Sequence, residues 1–162
     1  MEIEFYQLAQ QLGQLLLAQD LKIATAESCT GGWISTVLTE VPGSSAWFDR
    51  GFVTYSNAAK MQMLDVSAET LAKHGAVSEQ TAMEMLQGAL KHSVAQSAIA
   101  VTGIAGPDGG SIDKPVGTVY IAWVCPGKPA QVVRQNFTGT RQQIRANTVH
   151  AALQGLILQL TG

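Results

Sequence analysis

Thr25-Ala-Glu-Ser-Cys-Thr-Gly-Gly-Trp33 is the stretch on which the fold turns. Before it, Leu21-Lys22-Ile23-Ala24-Thr25 reads as a short strand. After it, Trp33-Ile34-Ser35-Thr36-Val37-Leu38 reads as the opening of an apolar helix. A strand that turns sharply into a helix leaves backbone N–H groups unpaired at the helix start. Those groups and the helix dipole favour negative charge, in a phosphate or in the oxyanion of an acyl-transfer intermediate. Gly31 and Gly32 let a ligand approach the backbone closely. Ser28 and Cys29 are candidate nucleophiles here, and Thr30, Gly31 and Gly32 are candidate ligand contacts. The plainer alternative is a Gly-rich turn capped by Ser28 or Thr30.

Working outward, Ile3 to Gln19 carries Phe5, Leu8, Leu12, Leu15 and Leu16 at helical spacing, and Asp20 breaks the helix. Val41-Pro42-Gly43 marks a loop, and Trp47 to Tyr55 reads as a strand with a bulge expected at Gly51. Ser56-Asn57 opens a helix through Lys60 to about Leu64. Ser67 caps Ala68–His74, Gly75 closes it, and Ser78 caps a longer helix to about Val94. Ser97–Thr102 is a compact apolar strand running into a second Gly-rich loop, Gly103 to Gly110. Val116–Val124 and Gln131–Phe137 form a hairpin about Pro126-Gly127, and a last helix opens at Thr138-Gly139-Thr140. Helices that alternate with strands and then meet a hairpin predict an α/β fold, a mixed sheet of about five strands with helices on both faces. Ligands bind such sheets beyond the carboxyl ends of strands, where Ser28, Tyr55 and Thr102 all fall.

The 162 residues predict one domain, 1–162, able to bury roughly 70% of its unfolded surface. Charged residues make up only 14% and the net charge is −2, so nucleic acid is not an expected partner. The thinly charged surface points to a homo-oligomer. The acidic start, Met1-Glu2-Ile3-Glu4, predicts no signal peptide. No apolar run approaches the ~20 residues of a membrane helix, so no membrane association is expected. Two cysteines without metal or redox spacing predict reduced thiols and a cytoplasmic address.

Serine needs a base. His74, His92 and His150 form no evident Ser-His-Asp arrangement and read as structural. Lys60 is the better candidate. Near a helix start, in a partly desolvated crevice, a lysine loses proton affinity and can take the Ser28 proton, directly or through the Tyr55 hydroxyl. The alternative for Lys60 is a solvated helix lysine. The Tyr-x-x-x-Lys spacing of short-chain dehydrogenases is not met, and G-x-G-x-x-G, a Walker loop, H-E-x-x-H and G-x-S-x-G are absent. Arg141 and Arg145 share one helix face and suit a phosphate by forked hydrogen bonds, or else form a solvated basic face. Glu27 is expected to hold the turn or pair with a cation, Asp108 to shape its loop, and Trp33 and Trp47 to pack.

Ala26-Glu-Ser-Cys-Thr-Gly-Gly32, Gly51-Phe-Val-Thr-Tyr-Ser-Asn57, His74-Gly-Ala-Val-Ser78, Thr102-Gly-Ile-Ala-Gly-Pro-Asp-Gly-Gly110 and Lys114-Pro-Val-Gly-Thr118 resemble the motifs of the CinA C-terminal domain family, in order and over nearly the whole chain. The stand-alone members are nicotinamide-nucleotide amidases. The resemblance implies a three-layer α/β sandwich. It also implies hydrolysis of nicotinamide mononucleotide to nicotinate mononucleotide and ammonia in pyridine-nucleotide salvage, with no metal or other cofactor. By position, Ser28 matches the nucleophile, and Tyr55 and Lys60 its catalytic partners. Thr102, Gly103 and either Arg141 or Arg145 match substrate contacts. A homodimer is implied as well. A silent nucleotide-binding module and a cysteine hydrolase using Cys29 are the competing readings, the latter weakened because no histidine is in an evident position to activate the thiol.

Overall fold

Alternation along the strands sets the architecture. In β1 (Ile23–Glu27), Ile23, Thr25 and Glu27 point one way and Ala24 and Ala26 the other; in β3 (Ser97–Gly103), Ile99 and Val101 oppose Ala98 and Ala100. Large residues thus fill one face of the sheet and alanines line the other. The computed structural model, which describes residues 2–162, builds a five-stranded sheet in the order β2-β1-β3-β4-β5, with β2 at Phe48–Val53, β4 at Thr118–Val124 and β5 at Gln131–Asn136. β1 runs parallel to both its neighbours; β3, β4 and β5 are successively antiparallel. The expected α/β sandwich with a mixed sheet is the observed one.

The large-residue face packs under α1 (Glu2–Ala18), α2 (Trp33–Thr39) and α6 (Arg141–Thr161), burying Phe5, Leu12, Leu16, Leu38, Val149 and Leu153 against Ile23, Ile99 and Ile121. Each such side chain contributes roughly 1.5–3 kcal/mol when fully buried. The alanine face receives α3 (Asn57–Leu64) and α5 (Glu79–Lys91), with Leu64, Met85 and Leu86 filling the space above Ala24, Ala26 and Ala100; α4 (Ala68–His74) packs on α5. Ser56, Ser67 and Ser78 cap α3, α4 and α5 as expected, and Thr140 forms a capping box with Gln143 at α6. No described helix is long and apolar enough to cross a membrane.

The structure departs from the sequence reading at several element ends and at the bulge; β2 is shorter at both ends, Phe48–Val53, and β4 starts at Thr118. β1 begins at Ile23, not Leu21, because the Leu21 N–H returns to the Leu16 carbonyl and still belongs to the end of α1. α5 stops at Lys91 rather than near Val94, whose N–H turns to the Asp49 carboxylate. The expected bulge is not at Gly51: the register slips opposite Phe48–Arg50, between Ile23 and Ala24. Gly51 is small because any Cβ there would collide with the hydroxyls of Thr25 and Ser35 beneath it.

Gly88 in α5 has a similar reason, since its missing side chain lets α5 rest directly on the Leu64 carbonyl at the end of α3. Replacing glycine by alanine inside a helix normally adds about 1 kcal/mol of stability. Here overpacking reverses the sign. Gly88→Ala is expected to lower the unfolding free energy by about 1–3 kcal/mol, read as a shifted urea midpoint at constant slope.

Candidate active site

Ser28 follows β1, the strand flanked by both parallel neighbours, and its N–H donates to the Val101 carbonyl at 3.1 Å. Beyond it the chain reverses through Gly31 and Gly32, whose φ of +61° and +100° lie in the left-handed region that favours glycine. Gly32 is the N-cap of α2 and offers no side chain to it. The capping is done from within by Glu27. Its fully buried carboxylate accepts from Ile34 N (2.9 Å), Ser35 N (3.0 Å), Ser35 Oγ (2.8 Å) and Thr30 Oγ1 (2.6 Å). Neither Ser28 nor Thr30 caps the helix; of the two roles expected for Glu27, holding the turn is the one it fills.

Ser28 and Cys29 point to opposite layers. Cys29 joins the core beneath α1, α2 and α6, and burial pushes its thiol up to about 12. A thiol so disposed is a poor nucleophile at neutral pH. Ser28 continues the alanine face, where α3 brings Lys60 to it. The lysine is 1% exposed, and its Nζ lies 3.0 Å from Ser28 Oγ, 2.8 Å from the Thr54 carbonyl and 3.1 Å from the Tyr55 carbonyl. Burial holds its pKa below the ordinary lysine value. Lys60 is thus no solvated helix lysine.

Tyr55 is placed differently from expectation. Its carbonyl serves Lys60, but its exposed ring turns away and its hydroxyl accepts from Arg141 Nη2 at 3.2 Å. Lys60 meets Ser28 directly, with no tyrosine between them. Arg141 Nη1 also donates to the Gly106 carbonyl at 2.7 Å. Arg145, one turn on, donates to the carbonyls of Cys29 (3.0 Å) and Thr30 (3.1 Å), and its guanidinium lies 5.5 Å over the Trp33 ring. Trp33, Arg141, Gln142 and Arg145 line a cleft of about 490 Å³.

Thr102 is buried at the end of β3 with its hydroxyl on the Ala76 carbonyl (2.8 Å), and Gly103 is held small by Val119 and the Thr118 carbonyl. Both therefore have packing reasons of their own. Lys114 donates to the carbonyls of His74 and Val77, tying the second Gly-rich loop to the α4–α5 turn. The histidines are engaged elsewhere: His92 pairs with Asp65, His150 with Glu4, and His74 ends α4. Glu27's part in capping α2 was not foreseen, because a glycine at the N-cap gives no sequence signal for a cap supplied from the preceding strand.

A serine bonded to a buried lysine lies at the carboxyl end of a sheet strand in a three-layer α/β sandwich, which is where open sheets of this class bind their ligands. More particularly, residues 5–160 match the CinA C-terminal domain, and the chain belongs to that family. It is 53% identical over 153 residues to the nicotinamide-nucleotide amidohydrolase PncC of Escherichia coli K12, covering 94% of this chain and 93% of that one. It is 49% identical over 152 residues to the enzyme of the same name from Pseudomonas putida, covering 93% of each. The crystal structure of the competence/damage inducible protein CihA from Agrobacterium tumefaciens superposes with a TM-score of 0.94 at 47% identity, covering 98% of this chain and 96% of that one.

Removing the Glu27 carboxylate leaves the Ile34 and Ser35 N–H groups without an acceptor in a dry interior. Glu27→Ala is expected to cost about 3 kcal/mol of stability, and Glu27→Gln to recover only part of it because one oxygen becomes a donor. Denaturant titration of the two variants checks this.

Proposed function

We propose that this chain hydrolyses the carboxamide of nicotinamide mononucleotide to nicotinate mononucleotide and ammonia, as a step of pyridine-nucleotide salvage, with Ser28 as nucleophile and Lys60 as its base. The observation that carries the mechanism is the set of partners around Lys60 Nζ. Two are backbone carbonyls, which can only accept; the third is the Ser28 hydroxyl, which accepts from the ammonium and can donate to the neutral amine. A neutral amine matches that set: two N–H groups go to the carbonyls and the lone pair faces the Ser28 proton. The names of the relatives supply the substrate.

Lys60 takes the hydroxyl proton as Ser28 Oγ attacks the carboxamide carbon. The tetrahedral oxyanion needs donors. Ile34 and Ser35 N–H are spent on Glu27, and Gly31 N–H on the Ser28 carbonyl. Among the described residues, the N–H groups of Thr30 and Gly32 have no protein acceptor, so they are the donors assigned here. The C–N bond then breaks, ammonia leaves with the proton from Lys60, and water resolves the acyl-enzyme. Glu27 occupies the N-terminus of α2 with a negative charge, so the substrate phosphate falls instead to the arginine cleft.

Ammonia release from nicotinamide mononucleotide tests the activity and separates it from a silent nucleotide-binding module. Ser28→Ala and Lys60→Arg are expected to lose about 10²-fold or more in turnover, and Cys29→Ala to keep most of it. Because the base must be neutral and its pKa is held below the lysine value, kcat/KM is expected to fall as pH drops through that lowered pKa; a profile that stays flat over the whole pH range in which the fold is intact would remove Lys60 as base. In the phosphate cleft, Arg141→Ala or Arg145→Ala is expected to weaken nucleotide binding about ten- to a hundredfold, while the nucleoside lacking phosphate remains a poor substrate throughout.

A further inference from the structure

The mechanism above uses the Thr54 carbonyl and leaves its hydroxyl idle. Its Oγ1 is, among the described residues, the one buried side-chain nitrogen or oxygen without a hydrogen-bond partner. Buried hydroxyls left in that state are uncommon because they lose their hydration for nothing. Thr54 is held in place from both sides. Its N–H donates to the Glu27 carbonyl and its carbonyl accepts from Lys60 Nζ, both at 2.8 Å.

The register brings Thr54 beside Ser28. β1 and β2 pair Ala26 with Phe52 and Glu27 with Val53. One residue further, Ser28 stands beside Thr54. Ala26 belongs to the core under α3 and α5 and Phe52 packs against it, so alternation carried one residue past the ends of β1 and β2, strands about 4.8 Å apart, sets Ser28 and Thr54 on that same face. Lys60 Nζ reaches both residues, through Ser28 Oγ and the Thr54 carbonyl.

We propose that Thr54 Oγ1 holds the water that resolves the acyl-enzyme, a role that rests on the Ser28–Lys60 reading above. The water oxygen bonds to the acyl carbon while one of its protons passes to Lys60 Nζ. The bond from that carbon to Ser28 Oγ then breaks, and the Lys60 proton moves to Ser28 Oγ. The water oxygen leaves in the product carboxyl group, and amine and hydroxyl are restored. Thr54 pairs with the water throughout and exchanges no proton. Valine has the same shape and suits a buried strand end, so the hydroxyl is what distinguishes threonine here.

Thr54→Val, followed by rapid quench with nicotinamide mononucleotide, tests the proposal. Expected are a burst of ammonia near one equivalent per chain and a steady state slowed roughly tenfold. The acyl group should be found on Ser28 by mass spectrometry. Added hydroxylamine should restore turnover by replacing the water, Thr54→Ser should return it without hydroxylamine, and the melting temperature should equal or exceed the wild-type value. A folded Thr54→Val with wild-type turnover overturns the proposal, as does a slow one with neither burst nor adduct. Should Thr54→Val fail to fold, Thr54→Ala is read by the same criteria. Ser28→Ala run alongside separates the two levels. If it still releases ammonia at the wild-type rate, the nucleophile assignment falls. If it is inactive while Thr54→Val behaves as wild type, only the role of Thr54 falls.

Discussion

The β1–α2 turn depends on one buried carboxylate. A helix start usually draws its cap from the residue just outside it. Here the cap comes from Glu27, the last residue of the preceding strand, which reaches under the turn to Ile34 and Ser35. That frees positions 28 to 32 from any capping duty. Gly31 and Gly32 adopt left-handed conformations, and Ser28 and Cys29 separate into opposite layers of the sandwich. The donor chain extends further: Thr25 Oγ1 and Ser35 Oγ lie 2.8 Å apart, and Ser35 Oγ donates a hydrogen bond to Glu27. Gly51 completes this arrangement by leaving room for both hydroxyls.

Lys60 is the opposite case, a cationic side chain buried without a carboxylate bonded to it. Desolvation penalises the ammonium form, and three neutral oxygens compensate it only in part. Its reach follows from local geometry. Ser56 caps α3 immediately after β2 ends, and side chains on a helix lean towards its N-terminus. A lysine in the first turn therefore leans back over the strand ends. Thr54 and Tyr55, the two residues between strand and cap, are the ones whose carbonyls it finds. The same short junction leaves the Tyr55 ring on the outside, against Arg141.

Much of this was legible in the sequence, and the reasons differ by element. Ser56, Ser67, Ser78 and Thr140 announced their helices because capping is a local property of a residue and its next three neighbours. The strands were legible through apolar alternation. Ser28 and Lys60 could be nominated as partners because a strand end and a helix start were both in view. The first ends of β1 and the reason for Gly51 were not legible, since both depend on which strand lies alongside. Tyr55 was assigned by its hydroxyl, whereas the structure uses its carbonyl, a group every residue carries and no sequence marks. Thr54 was overlooked for a similar reason: its distinction lies in a partner it does not have. Arg141 and Arg145 looked alike on their helix face, yet one spans Tyr55 and Gly106 while the other grips the turn.

That grip crosses 116 residues, from Arg145 in α6 to the Cys29 carbonyl. Synthesis proceeds from the N-terminus at roughly 5–20 residues per second, so the Ser28–Gly32 turn leaves the ribosome about ten seconds before the arginine that clamps it. For the first part of that interval β1 lacks β3 beside it, and until its end it lacks α6 above it. The order of translation thus keeps the turn at Ser28 unassembled on the nascent chain and delivers its last constraint with the final helix. A polypeptide interrupted before α6 carries every residue of the Ser28–Lys60 pair and lacks the clamp that fixes their turn.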